Sequence, residues 1–341
     1  MRCDIVIPVW NKKELTKQCI DSIFSSTHCD YGIIIVDNAS DCPTREYLDQ
    51  LKGKKSDKIN IIRNKENLGN TKAANQGILS SKADYVCILD NDTIVSDGWL
   101  DEMMRIAESN KDIGIVNPSN NFGKKKPWNK TYEQCAQEKT TGKQGRFTET
   151  VTPVGFCYLI KREVIDKIGL WDERFSPGYF EDTEYALRAK KAGYKSVFAL
   201  GAYVFHLEHT SFKRRGFNAF FKKSEEKFYN LYKRSDRILY ILSKTGSTYY
   251  NKIKKDSYDF ANNSNWVWIF LRKSAPKLDI LGHTYIRAYR ISDIFFNIIA
   301  IVRVLIKKKK FSQILVDDKK LADILTAFKK YHKAEVQLIN M

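Results

Sequence analysis

The feature that most constrains the fold is an alternation in the first ninety or so residues. Four short β-rich runs, DIVIPV (4–9), IIIVD (33–37), INIIRN (59–64) and YVCILD (85–90), are separated by amphipathic stretches at about 12–26, 43–52 and 70–81. Strand and helix patterns in strict alternation predict a mostly parallel sheet covered by helices. Sheets of this kind bind ligands at the carboxyl ends of their strands. The polar residues that follow each run are therefore the place to look for chemistry.

Two of the runs end in Asp-bearing turns, VDNAS (36–40) and LDNDT (89–93). A single Asp at such a position is commonly a turn former or a helix cap; two on neighbouring strands call for more. Asp90 and Asp92 are two residues apart, so on a tight turn both face one polar ligand. Their hard oxygen donors select Mg²⁺ or Mn²⁺, which neutralises a diphosphate. Between these motifs lies NLGNTKAANQG (67–77), in which Gly69 opens a helix and Ala73, Ala74 and Gly77 carry little bulk. Close approach of a ligand and tight packing on the sheet both account for that run.

A second acidic cluster stands in GYFEDTEYALRAKKAGY (178–194), where Glu181, Asp182 and Glu184 precede a helical pattern. Acids at a helix start satisfy unpaired N–H groups and the positive end of the dipole. Glu184 is spaced to pair with Arg188, and Gly193 fits a left-handed stop. Capping explains the cluster without chemistry; a catalytic carboxylate is the alternative.

The charge is unevenly placed. Of the 58 Lys+Arg and 40 Asp+Glu, 28 and 11 respectively follow residue 212, so nearly all of the net +18 sits in the last third. A near-neutral front and a basic rear suggest chemistry in front and an anionic partner behind. Within the rear, DIFFNIIAIVRVLIKKKK (293–310) is too short for an ordinary transmembrane helix. It suits either a core helix of a helical region or a segment lying on an anionic membrane surface. Basic clusters with interleaved aromatics also mark nucleic-acid binders, but no such module is visible and nucleic acid is not an expected partner. Residues 118–150 are polar and weakly periodic, which predicts a long loop. No signal peptide precedes DIVIPV, and seven cysteines without a C-x-x-C pair suit a reducing, cytoplasmic setting.

Taken in order, IPVWN (7–11), VDNAS, NLGNTKAANQG, LDNDT, GFCYLIKREVIDKIGLWDERF (155–175) leading into GYFEDTEYALRAKKAGY, and a later His resemble the family 2 glycosyltransferases. The resemblance covers about residues 3–211. It implies a GT-A fold, a Rossmann-like α/β nucleotide-diphospho-sugar transferase domain, over residues 1–212, followed by a basic, mainly helical region over 213–341. It also implies an inverting, metal-dependent transfer of one sugar from a UDP-, dTDP- or GDP-sugar to a hydroxyl of a glycan, lipid-linked or protein acceptor. A retaining GT-A enzyme and a non-catalytic nucleotide-sugar-binding scaffold are the alternatives. The location implied is cytoplasmic, with the inner face of the cell membrane as a candidate docking surface.

Carried over by position, the resemblance assigns Pro8, Val9, Asp37, Asn67, Gly69, Asp90 and Asn91 to the donor nucleotide, with Asp90 reaching the ribose. Asp92 and His206 then hold Mn²⁺ or Mg²⁺. In the family His opens a pattern of the type H-x-x-G-x-S; here HLEHTS (206–211) puts His209 where Gly is usual. Asp182, preceded by Glu181, corresponds to the general base, and Trp171, Asp172, Glu173 and Tyr179 to the acceptor pocket.

Overall fold

The computed structural model describes the whole chain apart from residues 56, 122–123, 208–216, 245–249, 277, 279–282 and 340–341. The described residues divide into two compact units, Met1–Tyr232 and Lys233–Met341. The boundary expected after residue 212 falls outside the described residues, and the helix that follows it belongs to the first unit.

The first unit runs β1 (Arg2–Val9), α1 (Lys13–Ser26), β2 (Asp30–Asp37), α2 (Cys42–Lys54), β3 (Ile59–Arg63), α3 (Asn70–Ser80), β4 (Tyr85–Leu89), β5 (Thr93–Val95), α4 (Trp99–Ser109) and β6 (Ile113–Asn120). It continues with α5 (Tyr132–Thr140), β7 (Phe147–Thr150), β8 (Cys157–Lys161), α6 (Arg162–Ile168), α7 (Glu181–Lys191), β9 (Lys195–His206) and α8 (Phe217–Leu231). The four strands and three helices expected at the front are all present, within a few residues of their predicted ends. The loop expected over 118–150 is partly ordered, because Thr131 and Gln134 form a reciprocal capping box that starts α5, and Phe147–Thr150 pairs with β9.

The sheet order is β3-β2-β1-β4-β8-β6-β9-β5, with β7 also on β9. β1, β2, β3 and β4 are parallel, and β8 turns back antiparallel to β4. Successive residues of a strand face opposite sides, and here both sides are apolar. Ile5, Ile7, Ile33 and Ile35 face a core shared with Ile20 of α1 and Trp99 of α4. Val6, Ile34, Val86 and Ile88 face a second core with Ala74, Tyr158, Trp171 and Tyr185. Gly77 shows how close α3 lies: a Cβ there would stand 2.2 Å from Val6 Cγ1. At that position the small-residue run serves helix-on-sheet packing.

The second unit runs β10 (Arg237–Leu242), α9 (Tyr250–Asn262), β11 (Trp266–Arg272), β12 (Ile286–Ile291), α10 (Phe296–Ile306), β13 (Gln313–Val316), α11 (Lys319–Ala327), α12 (Lys329–His332) and β14 (Glu335–Leu338). Its strands form one parallel sheet in the order β12-β11-β10-β13-β14. This corrects the expectation of a mainly helical region: the rear is α/β, with its helices connecting parallel strands. The cause is legible in RILYIL and WVWIFLR, which are mostly buried. Such strands read as unbroken apolar runs, whose period does not separate them from buried helix. Among the described residues no helix is long and apolar enough to cross a membrane.

Candidate active site

The turn after β4 carries Asp90, Asn91 and Asp92, and strand pairing brings His206 to it. β5 and β9 run antiparallel with Thr93 opposite His206, and Leu207 N–H donates to the Asp92 carbonyl at 2.9 Å. His206 Nε2 consequently lies 3.1 Å from Asp92 Oδ1 and 3.7 Å from Asp90 Oδ2. The His206 backbone is fixed by Asn121, whose side chain donates to its carbonyl and accepts from its N–H. The turn is tied down by Thr93 Oγ1, which donates to the Asp90 carbonyl at 2.8 Å.

Two carboxylates and an imidazole, with one ligand atom from each all lying within 4.8 Å of one another, form a candidate cation site. The donors are oxygen and nitrogen, which suits Mn²⁺ or Mg²⁺. Electrostatics point the same way. Burial pushes the Asp90 carboxyl up to about 7; His206 opposes the rise, while Asp92 and Asp182 add to it. A cation among these groups would remove that penalty.

Asp182 sits in the first turn of α7. The helix is not capped by its acids: the N-cap is Phe180, left-handed at φ 70° and without a side-chain cap. Asp182 instead turns toward the segment preceding β8, where Gly155 N–H donates to its Oδ2 at 2.8 Å. Its Oδ1 accepts from Thr183 N–H at 2.6 Å and from Thr183 Oγ1 at 3.2 Å. Burial raises the Asp182 carboxyl, against the pull of these bonds from Thr183 and Gly155. Glu181 is more deeply placed, its Oε2 buried without a hydrogen-bond partner, and burial pushes it well above the usual carboxylate range with Asp182 and Asp90 adding to the shift. Glu184 pairs with Arg188 as its spacing predicts, at 2.9 Å, and accepts from Tyr232.

The segment Gly155–Phe156–Cys157 joins the two acidic groups. Phe156 carbonyl accepts from Asp90 N–H at 2.8 Å, its ring stacks on His206 with centroids 5.0 Å apart, and the preceding N–H holds Asp182. The sequence assigns this stretch no role; its glycine before an apolar run is the available signal.

The remaining predicted residues separate. On the donor side, Val9 carbonyl accepts from Asn38 N–H, placing Pro8 and Val9 against the VDNAS turn. Asp37 is 1% exposed, with Oδ1 accepting from Ser40 N–H and Oδ2 from Arg63 at 2.8 Å. Asn67 accepts from Asn38 and from Gly69 N–H, in a network that sequence reasoning missed and in which Asn38 also accepts from Asn64 and Leu68 N–H. Asn91 is turned back to α1, donating to Thr16. Gly69 lies under the 176–177 loop, with a Cβ there 2.8 Å from Pro177 Cα.

The residues expected at the acceptor lie as follows. Trp171 is 2% exposed and packs edge-on against Tyr158, so its ring lies in the core. Asp172 is occupied by Arg174, whose hydrogen bond holds its carboxyl below the usual range despite partial burial. Glu173 accepts from Asn75 at 3.1 Å, and Tyr179 meets Phe221 edge-on at 5.6 Å. His209 lies outside the described residues.

A half-parallel sheet ending in an Asp-x-Asp turn that gathers an imidazole defines a GT-A type of nucleotide-diphospho-sugar transferase fold. In agreement, the chain superposes on a crystal structure of GalNAc-T7 with UDP, GalNAc and Mn²⁺ at a TM-score of 0.51, with 16% identity over 67% of this chain and 49% of that one. Residues 4–169 match the family model "Glycosyl transferase family 2", which identifies that stretch of the first unit as a family 2 glycosyltransferase domain. Curated relatives include glycosyltransferase GlyG of Streptococcus pneumoniae, 26% identical over 33% of this chain and 38% of that protein. Another is the poly(ribitol-phosphate) beta-glucosyltransferase of Bacillus spizizenii, 35% identical over 28% of this chain and 15% of that protein. The chain thus matches less than half the length of either relative.

Proposed function

We propose that the chain transfers a single sugar, with inversion, from a nucleotide-diphosphate sugar to an acceptor hydroxyl of a glycan, a lipid-linked sugar or a protein. The observation that carries this reading is the meeting of Asp90, Asp92 and His206 with Asp182 on either side of Gly155–Phe156. Asp92, His206 and Asp90 would hold Mn²⁺ or Mg²⁺; the GalNAc-T7 structure contains Mn²⁺ with UDP and GalNAc. When bound, such a cation stabilises the charge of the departing nucleoside diphosphate.

The acceptor hydroxyl needs a base before it is an effective nucleophile. Asp182 fits that role. Its Oδ1 already accepts two hydrogen bonds and its Oδ2 one, so the lone pair available for the incoming proton is on Oδ2. A carboxylate raised by burial is a stronger base than one in water, and the bonds from Gly155 and Thr183 keep it oriented. The same burial raises Glu181 well above the usual carboxylate range and leaves its Oε2 without a partner among the described residues, which makes it the weaker candidate for base or nucleophile. A retaining double displacement wants a second, ionised carboxylate at the anomeric carbon, a role the buried Glu181 suits poorly, and one-step inversion is the simpler reading. Donor recognition falls to Pro8, Val9 and the Asp37–Asn38–Asn67–Gly69 turn, and acceptor shaping to Asp172, Glu173 and Tyr179. The reaction is assigned to the cytoplasmic side of the cell membrane.

The test is incubation with UDP-, dTDP- and GDP-sugars, with and without Mn²⁺, followed by assignment of the anomeric configuration of the product. Inverted product with metal-dependent turnover is expected. Retained configuration overturns the mechanism, and a bound donor that is never turned over assigns the fold to a scaffold.

A further inference from the structure

The helix α10, FNIIAIVRVLI, is apolar nearly all round, and only one side of it is covered. Phe296, Ala300 and Val304, spaced four apart, are buried in the core with Trp268, Phe270 and Leu321. Ile298, Val302 and Ile306 repeat at the same spacing on the other side and are exposed, Ile298 at 62% and Ile306 at 72%. Ile294, at 85%, and Phe295 extend this strip past the helix start. A helix apolar on every face belongs in a core or against lipid, and a strip of this length is more than scattered surface exposure.

Cations border the strip. Lys308 and Lys309 are exposed directly beyond its end, and Arg303 is exposed on its flank. Beside them Lys307 stands 4.6 Å over the Trp268 ring, Arg237 5.5 Å over the same ring and Arg287 5.2 Å over Trp266. No carboxylate among the described residues forms an ion pair with any of these six. Their crowding is felt internally: burial, then Arg237 and Arg287, lowers Lys307. An apolar strip rimmed by uncompensated positive charge matches a surface that is oily within and anionic at its face. A second copy of this chain is a poor match, because a two-fold contact would set lysine against lysine.

We infer that α10 is a membrane-docking helix, seating Ile294, Phe295, Ile298, Val302 and Ile306 in the acyl boundary of an anionic bilayer, with the surrounding Lys and Arg side chains at the headgroup phosphates. This goes beyond the transferase reading and does not depend on it. The helix lies along the surface, since its 11 residues are too few to span.

The experiment is co-sedimentation of the full chain with vesicles of phosphatidylcholine containing phosphatidylglycerol, and with phosphatidylcholine alone. The wild type should pellet with the anionic vesicles and remain in solution with the neutral ones. Ile298→Asp/Val302→Asp should lower binding by about tenfold or more, and Lys308→Gln/Lys309→Gln by about tenfold with a weaker salt dependence. Ile298→Ser, a milder change at an exposed position, guards against loss of fold and should weaken binding in the same direction. Absence of pelleting with both vesicle types overturns the inference, as does full binding by the aspartate variant. Concentration-dependent self-association that the aspartate variant abolishes would assign the strip to a second copy instead. Donor turnover measured without vesicles reads the transferase separately, so failure of either conclusion is visible alone.

Discussion

The first unit orders its strands β3-β2-β1-β4 and the second β12-β11-β10-β13, the same winding, and each places acidic residues directly after the fourth strand of that series. In the first unit those residues are Asp90 and Asp92, to whose carboxylates no backbone N–H among the described residues donates; they gather with His206. In the second unit they are Asp317 and Asp318. Asp317 accepts from Ser243 N–H at 2.8 Å, Ser243 Oγ at 2.7 Å and Lys244 N–H at 2.9 Å, and Asp318 caps α11 through Leu321 N–H at 2.7 Å. Position in the fold is thus shared, and the difference lies in what reaches the oxygens. Backbone donors make a carboxylate part of the scaffold; a facing imidazole and further acids leave it for a ligand.

That contrast can be broken most sharply at the reacting end. Asp182→Asn keeps the shape and its acceptance at one atom but removes the base, and kcat should fall about a thousandfold with donor affinity preserved, as read by titration of donor against turnover. Asp92→Ala should reduce donor affinity about a hundredfold and abolish its dependence on Mn²⁺, measured by calorimetry with and without metal. The corresponding change in the second unit, Asp317→Ala, should leave turnover intact and cost about 2 kcal/mol, since three donors lose a buried acceptor. Hydrogen exchange at the β10 and β13 amides would register that loss.

A smaller effect concerns Glu181 and pH. The fold keeps its proton, whereas the unfolded chain releases it above about pH 4.3. The stabilisation is therefore fully present below that value and is lost as pH rises toward the raised folded one, by up to about 1.4 kcal/mol per unit. Glu181→Gln should remove this slope, so that the variant gains on the wild type in melting temperature as pH rises above about 4.3. Smallest is Asp318→Ala, a lost N-cap of about 1 kcal/mol with no change in sugar transfer.

Much of the first unit was legible because its strands and helices announce themselves locally. DIVIPV, IIIVD and YVCILD each ended where the next turn's polar residues began, and the Asp-x-Asp turn followed from that. His206 was found only by family position, since its approach to Asp92 depends on pairing between β5 and β9, more than a hundred residues apart. The burial of Trp171 is not legible, because a large aromatic near an acidic motif looks alike in sequence whether it lines a pocket or fills a core. The second sheet was hidden by its own burial: WVWIFLR shows no alternation when both faces are covered. Its basic, aromatic surroundings drew attention to surface properties instead.

The Gly155–Phe156 segment has a consequence for how such an enzyme can change. One carbonyl and one ring hold the Asp90–His206 cluster, and an N–H one residue earlier holds Asp182, so the spacing between the two acidic groups is set by two consecutive residues. A Cβ at Gly155 would already stand 3.3 Å from Asp182 Oδ2, leaving little room for adjustment there. A substitution within Gly155–Phe156 would therefore move both acidic groups at once.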